Sequence, residues 1–345
     1  MTVSGGKGSI KMRVIALEEH FNIPSLLARI PHELIIARGD PLPGHAPLLF
    51  GRVGESLADL GAARLQDMDA QGISMQVLSW AGPGADLLDG QEAISWARDC
   101  NDALAAQIAA HPTRYAGFAH LPTSMPEDAA QELTRCVQSY GFCGAMINGT
   151  TNGLFLDHPS YEPLLACAQA LNVPLYVHPN LPGAAVQEAY YSGLPDTAGF
   201  LLSAYGFGWH AEVGIHILRL VLSGALDRHP KLKLIIGHAG EYLPMALART
   251  DNLISADVAR FLQRPVGEQL RAQVWVTSAG QFTLPPLRAA LDVFGVDRVM
   301  FSVDYPYNTN KEGRAFLASL PFAPADQEKF CYKNAAALLG LDKTQ

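Results

Sequence analysis

Eight short runs of almost unbroken apolar character recur along the chain, at residues 13–19, 74–80, 115–121, 142–148, 174–178, 232–238, 274–279 and 298–304. Each is bounded by Gly, Pro, Asn or Asp. A strand with one wet face alternates apolar and polar positions, so a run apolar throughout marks a strand buried on both faces. Between the runs, apolar residues return every three or four positions, the period of a helix. Such stretches occupy 55–71, 91–110, 126–140, 212–228 and 241–262. The third is preceded by Ser124 and carries Glu127, a capping-box spacing, with Pro126 in the first turn. In the fourth, Val213, Ile217, Leu220, Val221 and Gly224 fall on one face. Strands alternating with helices build a parallel sheet, and eight of them predict an α/β (β/α)8 TIM barrel. The alternative is a doubly wound open sheet. It places the eighth strand at an edge, where the apolar run 299–303 is out of place.

The chain has 345 residues, and one barrel domain over residues 12–345 accounts for it, with residues 1–11 as a disordered lead-in. Two connections are long, residues 22–54 after the first strand and 181–209 after the fifth. Both follow strand C-termini, the face that carries the active site in such barrels. The second holds Tyr190, Tyr191, Phe200, Tyr205, Phe207 and Trp209. This loop either packs on itself or forms a lid over a flat, aromatic substrate.

Composition narrows the classes. Apolar residues make up 49% and charged residues 17%, with a formal net charge of −8. That is material for a large core and excludes a disordered chain. No basic run offers a nucleic-acid footprint, and no stretch is apolar enough to span a bilayer. Five cysteines, Cys100, Cys136, Cys143, Cys167 and Cys331, contain no CxxC pair. They are expected to be reduced thiols in a cytoplasmic protein rather than a disulfide framework or a thiolate zinc site.

The candidate chemistry lies at the strand ends. Glu18 and His20 close the first strand, and their spacing of two puts both side chains on one face. His178 ends the fifth, His238 the sixth and Asp304 the eighth. Burying imidazoles and carboxylates together costs several kcal/mol unless a cation compensates. Nitrogen and oxygen donors without thiolate suit Zn2+ or Mn2+. The other histidines carry weaker signals. His32, His45, His111, His158 and His229 stand in loops or at helix ends, His120 ends the third strand behind the site, and His210 and His216 read as structural.

The chain resembles the amidohydrolase-related decarboxylases, the family of aminocarboxymuconate-semialdehyde, γ-resorcylate and dihydroxybenzoate decarboxylases. The matching pieces run in the family's order over essentially the whole chain. They are Ala16-Leu17-Glu18-Glu19-His20-Phe21, Asp67-Met68-Asp69 with Gly72, His178-Pro179 and Leu226-Asp227-Arg228-His229-Pro230, then Gly237-His238-Ala239-Gly240-Glu241, Phe301-Ser302-Val303-Asp304-Tyr305-Pro306 and Asn334-Ala335. Glu-x-His in the first strand resembles the hydroxybenzoate branch more than the muconate branch. The resemblance implies that Glu18, His20, His178 and Asp304 hold a metal, and that His238 and Glu241 are the catalytic histidine and its acid. It implies that Arg64 and Arg249 contact a substrate carboxylate, Arg249 across a dimer interface. Binuclear members bridge their metals with a lysine in the fourth strand. Residues 142–148 contain none, so one divalent ion per chain is expected.

The expected reaction is metal-dependent, non-oxidative decarboxylation of a hydroxylated aromatic acid, a carbon–carbon lyase activity, with Asp304 delivering a proton. The expected assembly is a homodimer or homotetramer. A mononuclear hydrolase of a lactone or amide is the alternative. A catalytically silent barrel would have lost at least one ligand, and the set is complete.

Overall fold

The apolar runs form strands in the expected order. β1 spans Ile15–Phe21, β2 Met75–Trp80, β3 Tyr115–Gly117, β4 Ala119–His120, β5 Ala145–Asn148, β6 Pro174–His178, β7 Lys233–Ile236, β8 Val274–Thr277 and β9 Val299–Met300. The computed structural model describes residues 12–39, 48–258 and 260–343; the expected lead-in and His45 lie outside them. Every pairing between these strands is parallel. The third run is split at Phe118. Its first half pairs with β2 and its second with β5, giving ladders of three and six strands. Phe118 donates to the Leu78 carbonyl at 2.9 Å and so ties the two ladders together. The circle is completed by a parallel bridge between Leu17 and Ser302 and by the bond from His20 N to the Tyr305 carbonyl at 2.6 Å. The result is a (β/α)8 barrel whose seam lies between the first and last strands.

Alternation along the strands separates two cores. Leu17, Val77, Phe118, Tyr176 and Ile235 belong to an inner cluster that the C-terminal helix Asn334–Leu339 closes from one end. The opposite set packs outward under the helices. The eighth run pairs with β8 at Val299–Met300 and touches β1 through the single bridge at Ser302. Beyond that the buried carboxylate of Glu19 replaces a strand, accepting from Val303 N at 2.8 Å and Tyr305 N at 3.3 Å. Asp304 lies between these two anchored amides.

Several helix expectations need correction. The stretch 55–71 is two helices, Leu48–Ala58 and Ala62–Gln71. Asp59 breaks it by accepting from Gly61 N and Arg64 N, the competition with helix that short polar side chains offer. The stretch 212–228 is Gly208–Leu222 and Ala225–Arg228, because Gly224 is left-handed at φ 73°. Val213, Ile217, Leu220 and Val221 are buried as expected. The helix Pro126–Tyr140 has no capping box. Its N-cap is Met125, and the Ser124 hydroxyl is buried without a partner. The stretch 241–262 contains one helix, Leu243–Val258. Both long connections are partly helical, with Pro24–Leu27 and His32–Arg38 in the first and Ala184–Tyr191 and Ala198–Leu201 in the second. The five cysteines are free, and no helix among the described residues is long and apolar enough to cross a membrane.

Candidate metal centre and active site

Glu18 and His20 reach the barrel mouth through an irregularity. The β1–β2 register shifts between Ala16 and Glu19, so three steps on β1 oppose two on β2. Glu18 itself is left-handed at φ 60°. This bulge changes which parity faces inward. Leu17 packs in the inner core, yet Glu18 and His20 also point in, and Glu19 points out to hold the last strand. His178 stands two residues after the inward-facing Tyr176. His238, Glu241 and Asp304 are also left-handed, at φ 48°, 51° and 67°. Non-glycine residues in this region carry strain of order 1–3 kcal/mol each, typical of positions held for function.

The five side chains converge. Glu18 Oε1 is 3.5 Å from His178 Nε2 and 3.7 Å from His238 Nε2. His20 Nε2 is 3.2 Å from Asp304 Oδ1, and His238 Nε2 is 3.9 Å from Asp304 Oδ2. Glu18 is wholly buried. Its Oε2 accepts from the Tyr176 hydroxyl, which also bonds Thr277, while its Oε1 has no hydrogen-bond partner. His20 Nδ1 meets the Ser79 hydroxyl at 3.2 Å, and its Nε2 is likewise buried without a hydrogen bond. An unpartnered carboxylate oxygen and an unpartnered imidazole nitrogen aimed at one point fit a cation. Three such donor groups are brought within 4.8 Å of one another: Glu18, His20 and His178; Glu18, His238 and Asp304; His210, His238 and Glu241. In the third, the carboxylate oxygens and imidazole nitrogens already satisfy one another at 2.7 Å.

The electrostatics agree. Burial, reinforced by Asp304 and Glu241, pushes Glu18 up to about 8 against the pull of His238 and Tyr176. A cation would displace that proton. Burial and then His20 hold His178 well below the usual imidazole range, the neutral state a ligand needs. For Asp304, burial raises the pKa, but the close approach and charge of His20 and His238 outweigh it and hold the carboxyl well below its ordinary value. For His238, burial opposes charge, yet Glu241 and Glu18 raise it well above the ordinary value. Glu241 is brought down to about 2, burial being overcome by His238 and His210.

Above these groups lies a cavity of about 770 Å³. Leu27, Ile35, Val53 and Leu57 line one side, and Tyr205 and Trp209 line another. The aromatic connection is therefore only partly a lid, for Tyr190 and Phe207 are 76% and 49% exposed.

Two arginines are not brought to this cavity. Arg64 is fully buried, donates to Gln76 and to the His20 carbonyl, and lies 4.6 Å from the Tyr305 ring centre. It braces the strand ends, because its short route from the helix Ala62–Gln71 leads into the wall. Arg249 is exposed on the helix Leu243–Val258 and does not line its own chain's cavity. Two residues were not singled out from sequence. Arg38 lines the mouth and bonds Asp86 at 2.8 Å, but in sequence it is one cation in a loop. His210, read as structural, lines the cavity and bonds Glu241 at 2.7 Å, and nothing in its spacing links it to His238. His216 is structural as expected, accepting from Leu156 N at 2.9 Å. His120 sits beneath the cavity wall, accepting from Ala85 N.

The geometry makes Gly237 testable. A Cβ there would meet Glu18 Oε2 at 2.5 Å, and the residue's φ needs no glycine. Gly237→Ala is expected to displace Glu18 and lower bound metal at least about tenfold, the size seen when groups orienting a ligand are lost. Elemental analysis after dialysis checks this, and full occupancy would remove the close contact from the site's design.

Comparison with known proteins agrees with this geometry. The profile of the family described as Amidohydrolase matches residues 30–341. The chain is 35% identical over 341 residues to decarboxylase orsB of Emericella nidulans, covering 94% of this chain and 96% of the relative. It is 35% identical over 344 residues to the γ-resorcylate decarboxylase of Rhodococcus jostii, covering 95% and 99%. A dihydroxybenzoic acid decarboxylase from Polaromonas sp., solved with bound manganese and the inhibitor 2-nitroresorcinol, superposes with a TM-score of 0.84 at 31% identity over 96% of this chain and 98% of that one. By this coverage and this identity the chain belongs to the amidohydrolase family, beside its hydroxybenzoate-type decarboxylases.

Proposed function

We propose that this enzyme removes CO2 from an aromatic acid carrying a hydroxyl ortho to the carboxylate, with one manganese ion held by Glu18, His20, His178 and Asp304. The observation that carries the reading is the pair of buried, unpartnered donors, Glu18 Oε1 and His20 Nε2, set beside the His238–Glu241 pair. The N/O donor set suits zinc or manganese, and manganese is chosen on the manganese in the Polaromonas relative. Held by these four residues, the ion would supply Lewis acidity that offsets the negative charge of a bound hydroxybenzoate.

The chain's own residues handle the proton. Direct cleavage would leave an aryl carbanion. Protonating the carboxyl-bearing carbon of the substrate with its ortho hydroxyl ionised turns the ring into a dienone. The C–C bond pair then returns to the ring as CO2 leaves, and the phenolate is restored. The proton rests on His238, whose Nε2 faces Asp304 Oδ2 at 3.9 Å; Asp304 passes it to the ring carbon. Glu241 keeps His238 charged and oriented through the 2.7 Å bond at Nδ1. Leu27, Ile35, Trp209 and Tyr205 sandwich the ring and exclude water. The proposed assembly is a homodimer with Arg249 presented to the neighbouring cavity.

The test is CO2 release from a series of hydroxybenzoates, 2,6-dihydroxybenzoate first, set against acid release from lactones in a pH-stat. Acid release without CO2 release would replace this reading by a hydrolase. Elemental analysis is expected to find about one manganese per chain, and His178→Ala is expected to lose metal and activity together. Two tightly held ions per chain would overturn the mononuclear site.

A further inference from the structure

We infer that His210 is the positioning residue that locks Glu241, and through it His238, in the arrangement that proton transfer requires. The inference rests on the role proposed for His238. Both oxygens of Glu241 are engaged, Oε1 by His238 Nδ1 and Oε2 by His210 Nδ1, each at 2.7 Å. Glu241 is 1% exposed, so no water competes for it. The other nitrogen of His210 faces the Tyr205 carbonyl oxygen at 3.2 Å. A carbonyl only accepts, so His210 Nε2 carries a hydrogen. A ring protonated there alone would turn its Nδ1 lone pair against a carboxylate oxygen 2.7 Å away. A further proton therefore sits between His210 Nδ1 and Glu241 Oε2.

Two consequences follow. The Glu241 carboxylate is pinned at both oxygens and cannot rotate away from His238. Its second oxygen is also saturated by a charge-assisted bond, so it does not compete for the proton that His238 needs at Nε2. The rings of His210 and His238 meet edge to face at 4.5 Å, so the two imidazoles also pack directly on each other. His210 begins the helix Gly208–Leu222, whereas Glu241 follows β7, so the lock joins the aromatic connection to the catalytic loop.

The test uses the manganese-loaded full chain and three substitutions. Asn places a donor near the Nδ1 position, Gln places one near Nε2, and Phe keeps only the ring. His210→Phe and His210→Gln are expected to lower kcat for 2,6-dihydroxybenzoate at least about tenfold, a part of the roughly hundredfold or more that a whole acid–base term supplies. KM, manganese content and affinity for 2-nitroresorcinol should stay within about twofold. His210→Asn should retain most of the rate. In a Glu241→Gln background, His210→Phe should cost no more than about twofold further, because residues acting through one group are not additive. A readout free of turnover accompanies these. In the chain loaded with diamagnetic zinc, which leaves proton signals near the site sharp, far-downfield imidazole N–H signals should come from both His210 and His238, and His210→Phe should remove one and shift the other. If the wild type releases no CO2 from any hydroxybenzoate but the two signals behave so, the reaction assignment fails and the lock stands. If His210→Phe keeps its kcat, or loses as much in the Glu241→Gln background, or leaves the His238 signal unmoved, the lock is overturned.

Discussion

Asp304→Asn is expected to lower kcat at least about a hundredfold while the protein still folds and binds a non-reacting analogue. The size is that of a general acid–base term. The argument begins with position. Glu19 anchors the amides on either side of Asp304, and Asn308 Nδ2 donates to its Oδ2 at 3.4 Å. An asparagine inherits this backbone and shape, and its amide oxygen can replace Oδ1, the oxygen 3.2 Å from His20. What it cannot do is take a proton from His238 and give it up. The carboxylate is held ionised by His20 and His238 despite its burial, so it is a weak base that keeps no proton and gives up readily the one it carries to the ring carbon. Single-turnover CO2 release separates this step from binding, and calorimetry with 2-nitroresorcinol measures affinity. An affinity within a few-fold of wild type with the rate lost places Asp304 in the chemistry. A variant keeping most of its kcat removes it, and the proton then passes from His238 directly.

The barrel was legible because a strand buried on both faces leaves no polar alternation to misread. The strand-end ligands were legible for a related reason. Glu18, His20, His178, His238 and Asp304 are polar residues at the C-terminal ends of apolar runs, where burial is costly without a partner. What sequence concealed depends on geometry without a one-residue signature. The bulge that turns Glu18 inward changes parity between Leu17 and Glu18, and no residue type announces it. Glu19 looked like a neighbour of the site but serves as the missing pairing partner for residues 303–305. His210 and Arg38 reach the cavity from the two long connections, where approach is set by packing and not by period. The breaks at Asp59 and Gly224 fall inside apolar patterns that continue across them, so periodicity alone ran the helices together. Arg64 shows the opposite failure, since a helical arginine with surface spacing is wholly buried beneath the strand ends.

Arg249→Ala and His238→Ala chains, each nearly inactive alone, are expected to regain about a quarter of wild-type activity when mixed and allowed to exchange subunits. Arg249 lies six residues into the helix that begins at Leu243, roughly 9 Å along it, and its side chain is exposed outside its own cavity. Tyr242, Met245 and Leu253 are 41%, 81% and 58% exposed. Met245, Arg249 and Leu253 are spaced by four along the helix Leu243–Val258 and form one stripe, and Tyr242 stands just before its first turn. Exposed apolar side chains in a row, with a cation among them, mark a surface that another molecule covers. A second copy is the occupant that gives the arginine a purpose. Across a two-fold axis the contact is made twice, and each guanidinium offers a partner's substrate carboxylate a planar, bidentate donor. Removing such a partner from a desolvated charge costs about 2–5 kcal/mol, so the arginine variant should lose on the order of thirtyfold or more. In a random mixture half the dimers are mixed, and each of those has one of its two sites built from wild-type Arg249 and wild-type His238. Half of one half gives the quarter. Native mass spectrometry establishes that mixed dimers form, and the same samples report the rate of CO2 release. Mixed dimers without recovered activity would assign Arg249 to its own chain or to none of the chemistry. A monomer that is fully active by itself would remove the stripe as an interface altogether.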